Sequence, residues 1–384
     1  MKLPEPPAEL AGLSAQLCTR IVNAIDAGGS LAFQQFMAMA LYEPGLGYYV
    51  NGLHKFGAAG DFVTAPEHGR LFALALARQL DHAARALGPD WSVLELGPGS
   101  GALARDVLLQ LEHKPAQYLL LEPSAPLREV QHETLAELPD DLLARVEWIA
   151  APPKGKFSGV IVANEVIDAL PVERFRIGAA GIEQSRVAVT DGRFDWTMAP
   201  ARGRLLAAVE HLIADLAEPP GPGYVSEVCV DLAEWLATVT EPLERGLVLL
   251  VDYGYPRREY YHPDRNAGTL VCHYRHRAHF DPFVWPGLTD ISAFVDFTAV
   301  AEAAEQAGLE VAGFTNQAGF VLGSGVSDRL ERVSDDRERM RLTGELKRLV
   351  LPGEMGEKFK IMALAREFEC PPDAFVFSDQ LGRL

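Results

Sequence analysis

Two rhythms of apolar residues run along this chain of 384 residues. From Trp91 onward, short apolar runs alternate with stretches of helical spacing. The pattern predicts strands over 92–96, 118–122, 145–149 and 158–163, with helices over 102–112 and 125–137 between them. The run G-L-V-L-L-V-D-Y-G-Y, Gly246 to Tyr255, is apolar at nearly every position, so it reads as a central strand buried on both faces. A helix over 298–307, a strand near 309–315, a charged helix over 326–349 and a last strand over 358–366 follow. Such alternation of strand and helix is the pattern of an α/β fold.

Two regions break this rhythm. Residues 8–40 read as two helices interrupted at Gly28-Gly29-Ser30, with Ser30 placed to cap the second, and Leu71 to Leu87 as another helix. Between them, Leu41 to Arg70 interleaves Gly and Pro with Tyr42, Tyr48, Tyr49, Phe56 and Phe62. Aromatic rings need packing partners, so this stretch is expected to be an ordered lid. Between the fourth and fifth core strands, 172–197 has an antiparallel pattern around an Asp191-Gly192 turn. Helices near 203–217 and 231–241 follow, parted by P-P-G-P-G at 219–223. The expected organisation is an N-terminal helical and lid segment 1–88, a first core part 89–171, an insertion 172–245, and the rest of the core 246–384 with a long loop over 256–297.

The chemistry centres on W-S-V-L-E-L-G-P-G-S-G-A, Trp91 to Ala102. A strand cut off by Gly97, Gly99 and Gly101 and followed by a helix lets a ligand lie against bare backbone at the carboxyl edge of a sheet. The dinucleotide spacing also fits, with Ala102 as its third small residue. Glu95 and Pro98 favour S-adenosylmethionine. A carboxylate there crowds a pyrophosphate but suits a cationic methionine end, and proline removes an N–H that a diphosphate would use. Glu122, at the end of the next strand, is placed to take ribose hydroxyls of either cofactor. The fourth strand delivers Asn164, Glu165 and Asp168 at the same edge, and the fifth delivers Asp252 and Tyr253.

A net charge of −18 and the absence of a long basic cluster disfavour nucleic acid as a partner. Four scattered cysteines, Cys18, Cys229, Cys272 and Cys370, form no C-x-x-C pair and fit a reducing cytoplasm. His273, His276 and His279 are mixed with Arg and lack Cys or Glu at ligand spacing, so no metal is expected. No run reaches the length of a membrane span, and membrane insertion is not expected.

Several motifs, G-L-G-Y-Y, G-D-F-V-T-A-P-E, L-E-L-G-P-G-S-G, L-R-E-V-Q, A-N-E-V-I-D-A-L-P-V, D-Y-G-Y, P-G-L-T-D-I-S and M-G-E-K-F-K-I-M-A-L among them, resemble in content and order the MidA family of S-adenosylmethionine-dependent methyltransferases. The resemblance runs from about residue 30 to 366. It implies a class I methyltransferase, Rossmann-like sheet of seven strands, the last antiparallel, carrying a large insertion between strands 4 and 5. Mitochondrial members are complex I assembly factors that methylate an arginine of a complex I subunit, which implies a basic, arginine-bearing protein substrate here. Val166-Ile167, where aromatic residues are usual, and E-H-G-R after T-A-P depart from the family pattern near the expected substrate pocket.

On this reading the cofactor residues are Asp61, Thr64 and Pro66 from the lid, Glu95, Gly97, Pro98, Gly99, Gly101, Glu122 and Asn164. Glu165 is expected to grip a guanidinium and Asn164 to position the methyl acceptor, with Asp168 and Asp252 as second-line catalytic candidates. Alternatives are an assembly chaperone with a cofactor-stabilised pocket, a small-molecule methyltransferase, or a NAD enzyme. A homodimer is compatible with the sequence.

Overall fold

The computed structural model describes residues 3–53, 69–331, 333–369 and 373–384. They fall into two compact units. Residues 3–53, 168–232 and 255–296 make one; the other holds 69–167, 233–254 and the described residues from 297 onward.

Seven strands of the second unit hydrogen-bond side by side. They are β1 (Ser92–Leu96), β2 (Gln117–Leu121), β3 (Val146–Ile149), β4 (Phe157–Asn164), β5 (Leu243–Tyr255), β6 (Glu310–Asn316) and β7 (Phe359–Arg366). Their order is β6-β7-β5-β4-β1-β2-β3. β7 runs antiparallel to both its neighbours, and the ladders from β5 to β3 are parallel. Leu247 to Val251 of β5, an unbroken apolar run, and Phe359 to Ala365 of β7, apolar except for Lys360, are all buried. Gly246 lets β5 close up on β4, because a Cβ there would run into the Gly159 carbonyl.

Three helices position the site: α1 (Leu71–Leu87), α2 (Ala102–Gln110) and α3 (Ala125–Leu135). α1 is an Ala/Leu helix with most of its residues buried, and it packs with Val93, Tyr118, Val160 and Val162 in one core. It therefore joins the sheet unit, while 3–53 joins the other. Likewise Leu232–Thr240, grouped with the insertion on sequence, is a helix assigned from Ala233 onward to the sheet unit.

In the first unit, helices Ala8–Gly28 and Phe33–Tyr42 share a core of Leu17, Ile21, Phe33, Phe36 and Met37 with Val172, Val187, Cys272 and Ile291. A five-stranded sheet includes Glu173–Gly178, Gly181–Thr190 and Arg193–Pro200, with Asp191 and Gly192 at positive φ in the expected turn. Ser30 does not cap a helix. Its Oγ and its carbonyl accept hydrogen bonds from Arg186 at 2.9 Å, and the Phe33–Tyr42 helix starts from Ala32 without a side-chain cap.

Two further expectations are corrected. The stretch 256–297 is not a plain loop but holds a three-stranded sheet, Arg277–His279, Val271–Tyr274 and Asp290–Ser292. Its hairpin turns on Arg275 and His276, both at positive φ, a place that glycine or asparagine usually marks. The charged helix over 326–349 is two, Ser327–Glu331 and Asp336–Val350. Asp335 starts the second by accepting from Glu338 N at 2.8 Å.

Candidate functional site

The register of three strand ends builds the site. Leu96 pairs with Leu121 on one side and with Ala163 on the other, so the chain leaves β1, β2 and β4 at one level as Gly97, Glu122 and Asn164. At about 4.8 Å between strands, the flanking backbones lie roughly 10 Å apart across Gly97. Gly97, Gly99 and Gly101 have φ of 56°, 56° and 82°. A side chain at Gly97 would come within 3.3 Å of Val166 Cγ2, and one at Gly101 would meet Leu135 Cδ1 at 2.6 Å. The loop is closed by Gly101 N donating to the Pro98 carbonyl at 2.8 Å, and Gly97 N reaches Leu121 O at 3.1 Å. Bare backbone here serves both the turn and the close approach of helix α3.

Glu95 lies on β1, 2% exposed, and accepts from the Tyr118 hydroxyl at 2.6 Å. Burial pushes its carboxyl up to about 7, and the Tyr118 hydrogen bond offsets only part of that. Glu122 is 5% exposed. Its Oε1 accepts from Ser124 N at 2.8 Å and its Oε2 from Gln131 Nε2 at 3.3 Å.

On the other flank, Asn164 Nδ2 donates to Glu165 Oε1 at 3.2 Å. Among the described residues, the buried Asn164 Oδ1 has no hydrogen-bond partner. Glu165 sits at φ 54°, a left-handed conformation that costs a non-glycine residue about 1–2 kcal/mol. Asp252, expected as a second-line catalytic candidate, is 1% exposed and accepts from Val166 N and Ile167 N through Oδ2, at 3.2 and 2.9 Å, and from Tyr253 N through Oδ1 at 2.8 Å. It holds the turn that presents Glu165.

The sequence candidates Glu95, Gly97, Pro98, Gly99, Gly101, Glu122, Asn164 and Glu165 thus lie in one unit around the carboxyl edge of β1, β2 and β4. Asp168 is assigned to the other unit, where its carbonyl accepts from Ala293 N at 2.9 Å. Asp61, Thr64 and Pro66 lie outside the described residues. Sequence reasoning missed Tyr118 and Gln131. For Gln131 the signal was present as the last residue of L-R-E-V-Q, with no chemistry attached to it.

These features fit a nucleoside-bearing cofactor: a glycine cradle that side chains would fill, an acid beside it, and a buried amide oxygen without a partner among the described residues. Comparison with known proteins agrees. Residues 73–315 match the family of S-adenosyl-L-methionine-dependent methyltransferases. A Burkholderia thailandensis protein crystallised with S-adenosyl-homocysteine is 38% identical, covers 100% of both chains and superposes with a TM-score of 0.92. The mitochondrial protein arginine methyltransferase NDUFAF7 homolog of Drosophila melanogaster is 29% identical over 94% of this chain and 89% of its own. The mouse NDUFAF7 is 27% identical over 93% and 86%. The mixed sheet, its glycine loop and these full-length similarities establish that the chain belongs to the MidA-like family of S-adenosyl-L-methionine-dependent methyltransferases.

Proposed function

We propose that this methyltransferase modifies an arginine of a protein partner, with Glu165 holding the guanidinium and Asn164 placing the acceptor nitrogen. One observation carries the reading: a carboxylate is kept in a strained left-handed turn at the end of β4, directly beside the glycine loop, by a buried Asp252. A turn needing only a left-handed backbone would use glycine. The names of the mitochondrial relatives support the arginine, and their alignment over more than four-fifths of their own lengths supports a shared mode of action.

S-adenosylmethionine supplies a methyl group on a sulfonium, whose departure leaves a neutral thioether. The glycine loop, Glu95 and Glu122 hold that cofactor in place, and the protein's task at the acceptor is alignment and proton removal. A guanidinium with a pKa above about 12 is a poor nucleophile. Glu165 orients it through charge-assisted hydrogen bonds, and as one nitrogen gains the N–C bond an N–H proton leaves toward the carboxylate. The Asn164 amide oxygen accepts an N–H of the same group.

The test is transfer of radiolabelled methyl into the lysate of a strain lacking this protein, with Glu165→Gln alongside. The expected result is one labelled protein that yields methylarginine on hydrolysis and loses its label with the variant. Label on a small molecule, or none in protein despite measurable cofactor binding, overturns the reading in favour of a small acceptor or an assembly role.

A further inference from the structure

The L-R-E-V-Q segment ends on a side chain that joins three parts of the cofactor region. Gln131, on α3, is 0% exposed. Its Nε2 donates to the Gly99 carbonyl at 2.9 Å and to Glu122 Oε2 at 3.3 Å, and its Oε1 accepts from Trp148 Nε1 at 3.2 Å.

The chemistry of the partners fixes the amide's orientation. An indole N–H only donates, so it must face the amide oxygen, and the NH2 group is then left facing a carbonyl and a carboxylate that only accept. Both N–H donors are used, and neither partner tolerates the flipped amide. Trp148 is itself held, with the His132 ring 3.8 Å from its own centroid. Helix α3 also touches the loop directly: the Cβ that Gly101 lacks would lie 3.4 Å from Gln131 Cα. One buried amide thus ties the middle of the glycine loop to the acid at the end of β2.

We propose that Gln131 is a positioning residue that sets the Glu122 carboxylate in register with the glycine loop, so that Glu122 discriminates for the ribose hydroxyls of the cofactor. It acts through Glu122 and touches no reacting atom. The inference rests on the reading that Glu122 takes the ribose. Without the Gln131 N–H, the carboxylate keeps its bond to Ser124 N but loses the hydrogen bond that Gln131 gives its second oxygen, and it shifts from the place where two hydroxyls are read together.

The experiment is calorimetric titration of the whole protein with S-adenosylhomocysteine and with its 2′,3′-dideoxy analogue. The wild type is expected to prefer the parent by about ten-fold or more, the scale of hydrogen bonds to a charged group. Gln131→Met, close in size and without hydrogen-bonding groups at its end, is expected to bring the parent's affinity down towards that of the analogue and to cost the analogue clearly less, since both ligands share only the loss of the bond to the Gly99 carbonyl. Equal loss for both ligands marks a merely structural role and overturns the proposal, as does no loss for either. Trp148→Phe, which frees the amide oxygen, is expected to give a smaller loss confined to the parent. If Gln131→Met does not fold, this variant decides, with equal losses or none overturning the proposal. Glu122→Gln separates the two readings. If it leaves the preference for the parent intact, ribose recognition by Glu122 is wrong; if it removes the preference while Gln131→Met does not, only the coupling is wrong.

Discussion

The loop after β1 and the turn after β4 are neighbours that solve the same backbone problem in opposite ways. Both pass through left-handed conformations, the first at Gly97, Gly99 and Gly101 and the second at Glu165. Glycine adopts that backbone at no steric cost, and the loop offers bare peptide to a ligand. Glu165 pays a strain that a glycine would avoid, and Asp252 secures its turn with two accepted N–H bonds. The difference lies in what each backbone carries: the loop's left-handed positions have no side chain, whereas the turn after β4 keeps a carboxylate at a cost in strain, which is what the arginine reading proposed above requires.

The most disruptive way to test the contrast is Gly101→Val. A β-branched residue at φ 82° whose Cβ lies 2.6 Å from Leu135 Cδ1 is expected to destabilise the protein by about 4 kcal/mol or more and to abolish cofactor binding. Denaturant melts and calorimetry with S-adenosylhomocysteine check both. Retention of wild-type stability removes the idea that α3 packs on the loop.

Asp252→Ala leaves the N–H groups of Val166 and Ile167 without their acceptor, at a cost of about 2–4 kcal/mol. Methyl transfer should fall further than cofactor affinity, because the turn and not the glycine loop is released. A parallel fall in the two quantities argues that Asp252 supports the whole edge of the sheet.

Glu95 gives a pH test on the loop side. Its carboxyl is raised by burial to about 7, above the ordinary value of 4.5, so folding favours the protonated form. The sign follows: this group's favourable contribution is complete below about pH 4.5 and is lost as pH rises through about 7. Glu95→Gln should therefore stabilise the cofactor-free protein near pH 8, by at most about 3 kcal/mol, and make little difference near pH 4.5. Thermal melts of both proteins across that range measure it, and a pH-independent difference sinks the assignment. The variant should also bind cofactor more weakly if the carboxylate serves the cationic methionine end.

The smallest expected effect has the opposite sign for stability and function. Glu165→Gly should relieve the left-handed strain and stabilise the fold by roughly 0.5–1 kcal/mol while abolishing methyl transfer. Destabilisation instead would show that the Glu165 side chain holds the turn together and is not simply displayed by it.

Much of this was open to reading in the chain itself. Periodicity and the glycine spacing placed β1, the loop and α2, because a strand, a turn that tolerates only glycine and an amphipathic helix each leave a local mark. Glu122 and Asn164 were equally legible, as residues ending apolar runs. Hairpin 271–279 was not, because its turn runs through Arg275 and His276, where no glycine or asparagine announces a positive φ.

The parts of the site that escaped the sequence are relations between distant residues. Asp252 had the look of a catalytic acid at a strand end, and only its distance to Val166 N and Ile167 N, 86 and 85 positions away, makes it a support. Gln131 stood in a motif without a role until the fold set its amide between Gly99, Glu122 and Trp148. Local steric preference and hydrophobic periodicity act over a few residues, so the sequence alone determined most core strands and helices and the glycine loop. Hydrogen bonds between buried polar groups depend on how strands are ordered and registered. Only the tertiary structure decided which carboxylate stands on the left-handed turn, which one hydrogen-bonds that turn, and which amide bridges the glycine loop and the other acid.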